Sequence, residues 1–388
     1  MSKLKDLINI LCPNGVEYKP LYSIVSISTG KLNANAMVED GEYAFFTCDA
    51  NPFRIDKYAF DGEAILISGN GSQVGHLNYY IGKFNAYQRT YVLMNFVDDI
   101  VPKYLYHYLN TYLKGHIDEN SKKGSVPYIT LPMLQGFNVP IPPVEVQEEI
   151  VKILDKFGEL EAELEAELEA RKSQYEFWRG KLFEKENVKY MKISEFAKCY
   201  AGATPSTFHS EYWENGTIPW MSSGEVNNIE IYDTEKKITK LGYNSSSTKM
   251  LPINTVVVAL AGQGKTRGLV AITRKEVCTN QSLCGIVPDE RVDNEYLFHY
   301  LQSRYKDLRR ISSGDGTRGG LNLKMINDYE VPVPDIDEQK KIISVLNRFS
   351  RLVNSYTDGL PAEIELRRKQ YEYYRNKLLS FEELGVSE

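Results

Sequence analysis

Three stretches of this 388-residue chain carry residue types at spacings that could do chemistry. Ala261-Gly262-Gln263-Gly264-Lys265-Thr266 ends as a phosphate-cradling loop ends, with a lysine and a hydroxyl after glycine. The first glycine of such a loop would fall at Ala259, so nucleotide binding is set aside. Asn51-Pro52-Phe53 matches part of an adenine-methylating loop, but it lacks the second proline, and no glycine-rich cofactor loop accompanies it. Pro334-Asp335 followed by Glu338-Gln339-Lys340 imitates a nuclease centre. Its carboxylates lie too close in sequence, and they fall at an expected helix start, where acids favour the helix dipole. His107 and His299 are flanked by tyrosine at equivalent places and read as structural. No Ser/His/Asp or Cys/His set can be assembled. The five cysteines include no CxxC pair and read as reduced structural thiols rather than a zinc site or disulfide. The expectation is a chain with no catalytic centre, no metal and no cofactor of its own.

Other candidates are hydrogen-bonding side chains in loops with no apolar purpose. Gln263, Lys265, Thr266 and Arg267 lie in a glycine-punctuated turn between two expected strands. Their counterparts in the first half are Asn70, Ser72 and Gln73. Gln88 and Arg89 open the next strand there, as Gln281 does in the second half. Amides pair bidentately with adenine, and Arg or Lys with guanine, in the major groove of DNA. The plainer reading of each such residue is a solvated hairpin tip. A second loop pair, residues 121–128 and 312–324, carries Lys122, Lys123, Arg318 and Lys324. There phosphate contact is expected, because a lysine acts as a point charge with little base information. Arg309 and Arg310 suit the same role or simply face solvent.

The elements that must position these loops occur twice. VPIPPVEVQEEIVKILDKF, beginning at Val139, returns as VPVPDIDEQKKIISVLNRF, beginning at Val331; 7 of the 19 positions are identical and 7 more are close exchanges. QYEFWRGKL from Gln174 returns as QYEYYRNKL from Gln370, with 6 of 9 positions identical. The offset is 192 residues in the first match and 196 in the second. Such a period is too long for a solenoid and marks a duplicated module. In the first half, residues 41–48, 64–68 and 91–96 read as strands and 102–113 as a short helix carrying YLYHYL. In the second half, residues 256–261, 269–272 and 282–287 read as strands, and the helix returns as YLFHYL at 296–301. The main asymmetry lies near residues 204–220, where the second half has roughly twenty extra residues.

Each half is then followed by a helix. Nothing between Val144 and Phe183 must break the first, and Leu160, Leu164 and Leu168 head three tandem Leu-Glu-Ala units of four residues. Pro361 lies where the offset changes and predicts a kink or short break in the second helix. Its apolar stripe resumes through Ile364, Tyr371, Tyr374 and Leu378. Two amphipathic helices from pseudosymmetric halves should bury their stripes against each other, antiparallel. The fold class is therefore α+β, with two pseudosymmetric α/β domains joined and separated by two long antiparallel helices. The boundaries are 1–142, 143–185, 186–333 and 334–388, alternating domain and helical region.

Net charge is −6, which at first argues against nucleic acid. Residues 145–170 alone carry a net −8, so the remainder is +2, and residues 304–324 hold six basic against two acidic side chains. An acidic spacer between near-neutral modules with local basic loops remains compatible with DNA. No run reaches the length of a membrane span, and the N-terminus lacks a signal peptide's apolar core. A cytoplasmic location is expected.

These markers, together with TPS at Thr204, IPWMSSGEV at Ile218 and GLPAEIELRRKQYEYYRNKLLSF at Gly359, resemble the specificity subunit of a type I restriction–modification enzyme. The resemblance covers the whole chain. It implies two target-recognition domains, each reading half of a split site in double-stranded DNA. It also implies two helical regions that dock two methyltransferase subunits, restriction subunits joining that core, and no membrane. S-adenosylmethionine, ATP and Mg would belong to the partner subunits. One departure is the Leu-Glu-Ala run in the first helix where the second has a Gly-Leu-Pro break. A stand-alone DNA-binding regulator is the rival reading. Such regulators gain two-fold symmetry by dimerising, whereas this chain has it internally. A DNA-modifying enzyme in its own right is disfavoured by the three failed motifs.

Overall fold

The computed structural model describes residues 2–120, 128–184, 187–262, 266–312, 320–355 and 357–385. The chain divides into two compact units, Met1–Glu165 with Glu363–Glu388, and Ala166–Ala362. Each contains one copy of the duplicated module. Residues 143–185 and 334–388, read from the sequence as helical regions, contribute to both units.

The first unit is built on a six-stranded sheet in the order Ser26–Thr29, Thr90–Met94, Phe60–Ser68, Leu77–Ala86, Tyr43–Phe46, Phe53–Ile55. Only Tyr43–Phe46 runs parallel to its neighbour Leu77–Ala86. Successive side chains of a strand point to opposite faces. Ile65, Ile67 and Leu93 accordingly join the main core with Tyr104, Leu105 and Leu109 of the helix Pro102–Asn120. Ala64, Leu66 and Val92 turn to a smaller cluster with Phe46 and Phe84. In the second unit, the sheet Ala197–Ala201, Leu283–Pro288, Val256–Ala259, Val270–Thr273, Glu230–Ile231 repeats the first four strands. Its register matches: Ile65 faces Leu93 as Val256 faces Ile286. A glycine is required at the same point of both modules. A Cβ on Gly30 would lie 1.8 Å from the Ala86 carbonyl oxygen, and one on Gly202 would lie 2.1 Å from that of Thr279. The strand Leu77–Ala86 was not foreseen. Its alternation is blurred by Gly82, at φ +130°, and by an exposed Ile81. The first short helix runs to Asn120, seven residues past the expected Leu113. The second-half asymmetry forms a separate three-stranded sheet, Lys236–Ile238, Ile218–Met221, Cys278–Thr279. Trp213 packs edge-on against Trp220 there, with ring centroids 5.0 Å apart.

A fully buried glutamine ties each following helix to its module. Gln147 accepts a hydrogen bond from the Val101 N–H at 2.8 Å and donates to the carbonyls of Asp99, 2.8 Å, and Pro142, 2.7 Å. Gln339 repeats the pattern with Asp293 N–H, 2.8 Å, and the carbonyls of Arg291 and Pro334, both 2.9 Å. Every partner is displaced by the same 192 residues. Tyr104 and Tyr296 likewise donate to the carbonyls of Pro140 and Pro332, at 3.0 and 2.8 Å. The two histidines are structural. His107 Nε2 donates to Asp155 at 3.0 Å, and His299 Nε2 to Asn347 at 2.6 Å, again equivalent positions. Asp335 caps the helix Ile336–Asn354 by accepting from the Glu338 N–H at 2.9 Å, so the carboxylates that imitated a nuclease serve a helix start.

The central helix Val144–Lys181 is unbroken across 38 residues. The other helical region breaks rather than kinks. Ile336–Asn354 ends, and Leu360–Leu378 begins with Pro361 in its first turn, where a missing N–H costs nothing. Gly359 lies so close to the Arg351, Leu352 and Ser355 carbonyls that a Cβ would fall within 2.6–2.8 Å of them. Within the first unit the central helix packs antiparallel to Leu360–Leu378. Phe157 meets Tyr371 and Tyr374 at 6.0 and 5.8 Å, and Arg368 pairs with Glu161 and Glu165. Within the second unit, Tyr175 stacks on Phe349 at 6.2 Å. This is the Phe157–Tyr371 contact with both partners replaced by their repeats. Leu160, Leu164 and Leu168 are half-buried, Ile364 and Leu378 are buried, and the residues between the three leucines are mostly exposed. The C-terminal segment then completes the first unit. Val16 N–H donates to the Glu382 carbonyl and Leu384 N–H to that of Val16, both at 2.9 Å, and Tyr18 donates to the Phe381 carbonyl at 2.9 Å. No helix among the described residues is long and apolar enough to cross a membrane.

Two consequences are measurable. Gln147→Leu strands a buried N–H and two carbonyls, so it should lower stability by about 3–5 kcal/mol in urea unfolding. Gln73→Leu, on an exposed tip, should change it by less than about 0.5 kcal/mol. Burial holds the His299 imidazole below its ordinary 6.5, against the opposing hydrogen bond to Asn347. The unfolded chain therefore takes up the proton more readily, and stability present above pH 6.5 is lost as the pH falls below it. The urea midpoint should drop more steeply between about pH 7.5 and about pH 5.5 in the native chain than in His299→Gln. Equal slopes would assign the acid sensitivity to other groups.

Candidate DNA interface

The proposed reading residues sit where the central strands of each sheet end. In the first domain the strand Phe60–Ser68 turns back into Leu77–Ala86 through a tip held by Gly75 N–H to the Ser68 carbonyl, 2.8 Å. Gly71 and Gly75 take φ of +84° and +81°, which lets the tip close so tightly. Ser72 and Gln73 are exposed on that tip, and Asn70 is half-buried at its base. The next turn lies alongside, because Gly69 N–H donates to the Arg89 carbonyl at 2.9 Å. Gln88 and Arg89 are exposed on it. Gln88 donates from its amide to Asn33 Oδ1 at 2.9 Å, and the Cys48 thiol donates to Asn70 Oδ1 at 3.1 Å.

Asn70 from one turn and Gln88 and Arg89 from the next thus line one hollow of about 180 Å³, together with Tyr91, Tyr128 and Ile129. Tyr91 closes it by donating to the Ile129 carbonyl at 3.0 Å. Burial pushes that phenol above its ordinary pKa, so it remains a donor. Tyr128, 52% exposed, stands beside the opening. It was not among the sequence-derived candidates. It closes the lysine-bearing loop, but a tyrosine in a chain with 27 of them gives no signal of its own.

In the second domain the match is partial. Gln281 is exposed at the corresponding turn and accepts from the Thr204 hydroxyl at 2.5 Å. Thr204 opens the segment without a counterpart in the first half. Thr266 is half-buried. Arg267 corrects the expectation of a base-reading arginine. It is only 6% exposed, which leaves its guanidinium little access to a groove. Its neighbour Gly268, at φ +81°, packs beneath the Arg309 side chain. Arg309 itself lies over the Tyr305 ring and donates to the Tyr305 hydroxyl at 2.9 Å, which ties it into its helix. Arg310 is exposed and pairs with Asp307 at 2.9 Å. Lys324 is exposed in the short helix Leu323–Asn327, which Asn322 caps. Lys122, Lys123, Gln263, Lys265 and Arg318 lie outside the described residues.

Two repeated modules, each with donor-bearing loops at its sheet ends and a helix following it, suit a two-domain recognition protein. Residues 1–170 and 185–366 match the model of the type I restriction modification DNA specificity domain. The chain belongs to that family, the non-catalytic DNA-recognition subunits of type I restriction–modification systems. It is 37% identical to the EcoR124I/EcoR124II specificity subunit of Escherichia coli, over 72% of this chain and 70% of that one. It is 30% identical to a putative type I specificity subunit of Mycoplasma pneumoniae, over 84% of this chain and 96% of that one. Its fold is similar to that of the type I S subunit from M. genitalium, with a TM-score of 0.59 at 16% identity, covering 94% of this chain and 96% of that one. A structure from work on assembly of the type I system gives a TM-score of 0.66 at 11% identity, covering 95% and 98%.

Changing Arg89 or Gln281 to Ala should relax the base preference at one position of one half-site, by about 1–3 kcal/mol. Lys324→Ala should instead weaken binding to all sequences alike and flatten the salt dependence. Binding titrations on target and scrambled duplexes at several salt concentrations distinguish the two outcomes.

Proposed function

We propose that this chain reads a split, asymmetric site in double-stranded DNA, with an unread gap between its halves. The carrying observation is that the two modules share buried framework contacts down to single hydrogen bonds, yet differ at their reading positions. Asn70 and Arg89 have no like residue at the matching points of the second domain, where Ala261 and Ser282 stand. Two methyltransferase subunits dock on the helical regions and methylate adenine in both halves, and restriction subunits join that core. Phe177 and Tyr373 support a repeated partner. They occupy equivalent positions 196 residues apart and are 58% and 61% exposed. Large apolar rings left in water at matched points suit two copies of one protein surface. S-adenosylmethionine, ATP and Mg are handled by those partners. The complex acts in the cytoplasm.

The Leu160, Leu164 and Leu168 units set the length of the gap. Removing one unit shortens the helix by about 6 Å and turns its downstream part by about 40°, while a leucine still falls near the same face. A base pair rises about 3.4 Å, so the gap should shorten by one or two base pairs. The test maps methylated adenines genome-wide for the native chain and for a chain lacking residues 164–167. The expected result is two intact half-sites with an altered gap. A single continuous palindrome, or an unchanged gap in the deletion chain, would count against this reading.

A further inference from the structure

The hollow beside Asn70 is lined by side chains that the shared framework does not require. The backbone bonds that shape it recur in the second domain. Gly69 N–H to the Arg89 carbonyl and Ile129 N–H to the Gly69 carbonyl answer to Leu260 N–H to the Ser282 carbonyl and Leu321 N–H to the Leu260 carbonyl. This register equates Asn70 with Ala261, Arg89 with Ser282, Tyr91 with Cys284 and Tyr128 with Gly320. The backbone is kept while donors and rings give way to smaller side chains. Folding of the module therefore does not account for Asn70, Arg89 and Tyr128.

Size and chemistry narrow the occupant. At about 180 Å³ the hollow is smaller than the ~300–1,000 Å³ typical of sites for whole cofactors. A base pair inside a duplex offers only its edge to a protruding group and cannot enter a concavity. One planar ring system can. Tyr128 offers a stacking face at the rim, and aromatic faces hold unstacked bases well. The Asn70 amide oxygen already accepts from the Cys48 thiol, its nitrogen remains a donor, and Arg89 has donors only, while Gln88, whose amide nitrogen donates to Asn33, adds one acceptor oxygen that an imino N–H of guanine or thymine can meet.

We infer that this hollow takes one nucleobase lifted out of the first half-site, stacked on Tyr128 and read by Arg89 and Asn70. The donors of Arg89 and Asn70 suit the adjacent O6 and N7 acceptors of guanine or the carbonyl oxygens of thymine, whereas adenine places its amino group beside N7 on that edge, where it would meet another donor. The inference rests on the chain being a DNA-recognition subunit.

The test uses the full chain assembled with its methyltransferase subunits and duplexes carrying the mapped site. Each guanine or thymine of the first half-site is placed in turn opposite an abasic position, which removes the unpairing cost in advance. Affinity should rise about tenfold at one of these positions. The rise should vanish in Tyr128→Ala and in Arg89→Ala and persist in Tyr128→Phe. Methylated bases are scored apart, since a base taken by a methyltransferase site gains whatever stands at position 128. If no guanine or thymine gains, or if the gain survives Tyr128→Ala, the inference is overturned. If the native assembly does not distinguish the mapped site from a scrambled duplex, the underlying DNA-recognition reading fails instead.

Discussion

The architecture depends on two buried glutamines. Gln147 and Gln339 each satisfy one N–H and two carbonyls where a short helix, a proline-ended strand and a long helix converge. Those backbone groups lie at element ends, where no regular ladder reaches them, and leaving them unpaired in the interior is costly. An apolar side chain of similar volume fills the space but answers none of them. The glutamine therefore fixes the angle at which each long helix leaves its module. The aromatic seams farther along, Phe157 on Tyr371 and Tyr175 on Phe349, inherit that direction.

Pseudosymmetry stops at the strand ends that carry the proposed reading residues. The matched contacts are buried: the tyrosine-to-proline-carbonyl bonds, the histidine-to-helix bonds, and the glycines pressed on a neighbouring strand. The unmatched residues cluster at the strand ends and in the three-stranded addition around Trp213 and Trp220. A fold held from one side by repeated contacts can vary its loops on the other without altering its frame. The two proposed reading surfaces therefore differ in kind. The first is a concavity lined by polar side chains and tyrosines, and the second presents Gln281 held by Thr204.

Much of this was legible in the sequence because duplication reports on itself. The helix starts, the leucine stripe, the break at Pro361 and the structural role of the histidines all come from offsets and spacing. The strand Leu77–Ala86 was not legible, because glycine and an exposed isoleucine disturb its alternation. Arg267 misled for a different reason. Sequence places an arginine in a turn but does not show the cover that tertiary packing supplies. Tyr128 escaped because its place in the hollow comes from neighbours some forty to sixty residues away in sequence, which only the folded sheet gathers. The interplay of Gln88 with Asn33 and of Asn70 with Cys48 was hidden for the same reason.

The way residues 381–384 meet Val16 and Tyr18 bears on the order of folding. The unit formed by Ala166–Ala362 is continuous in sequence, whereas its companion is closed by Glu363–Glu388. Domains ordinarily fold in the order in which the ribosome delivers them. Here the module made first must wait, incompletely covered, until the segment from Glu363 onward emerges. The module made second already holds all of its own parts. Loss of residues 363–385 would thus leave the first domain unfinished while the second keeps a sound frame.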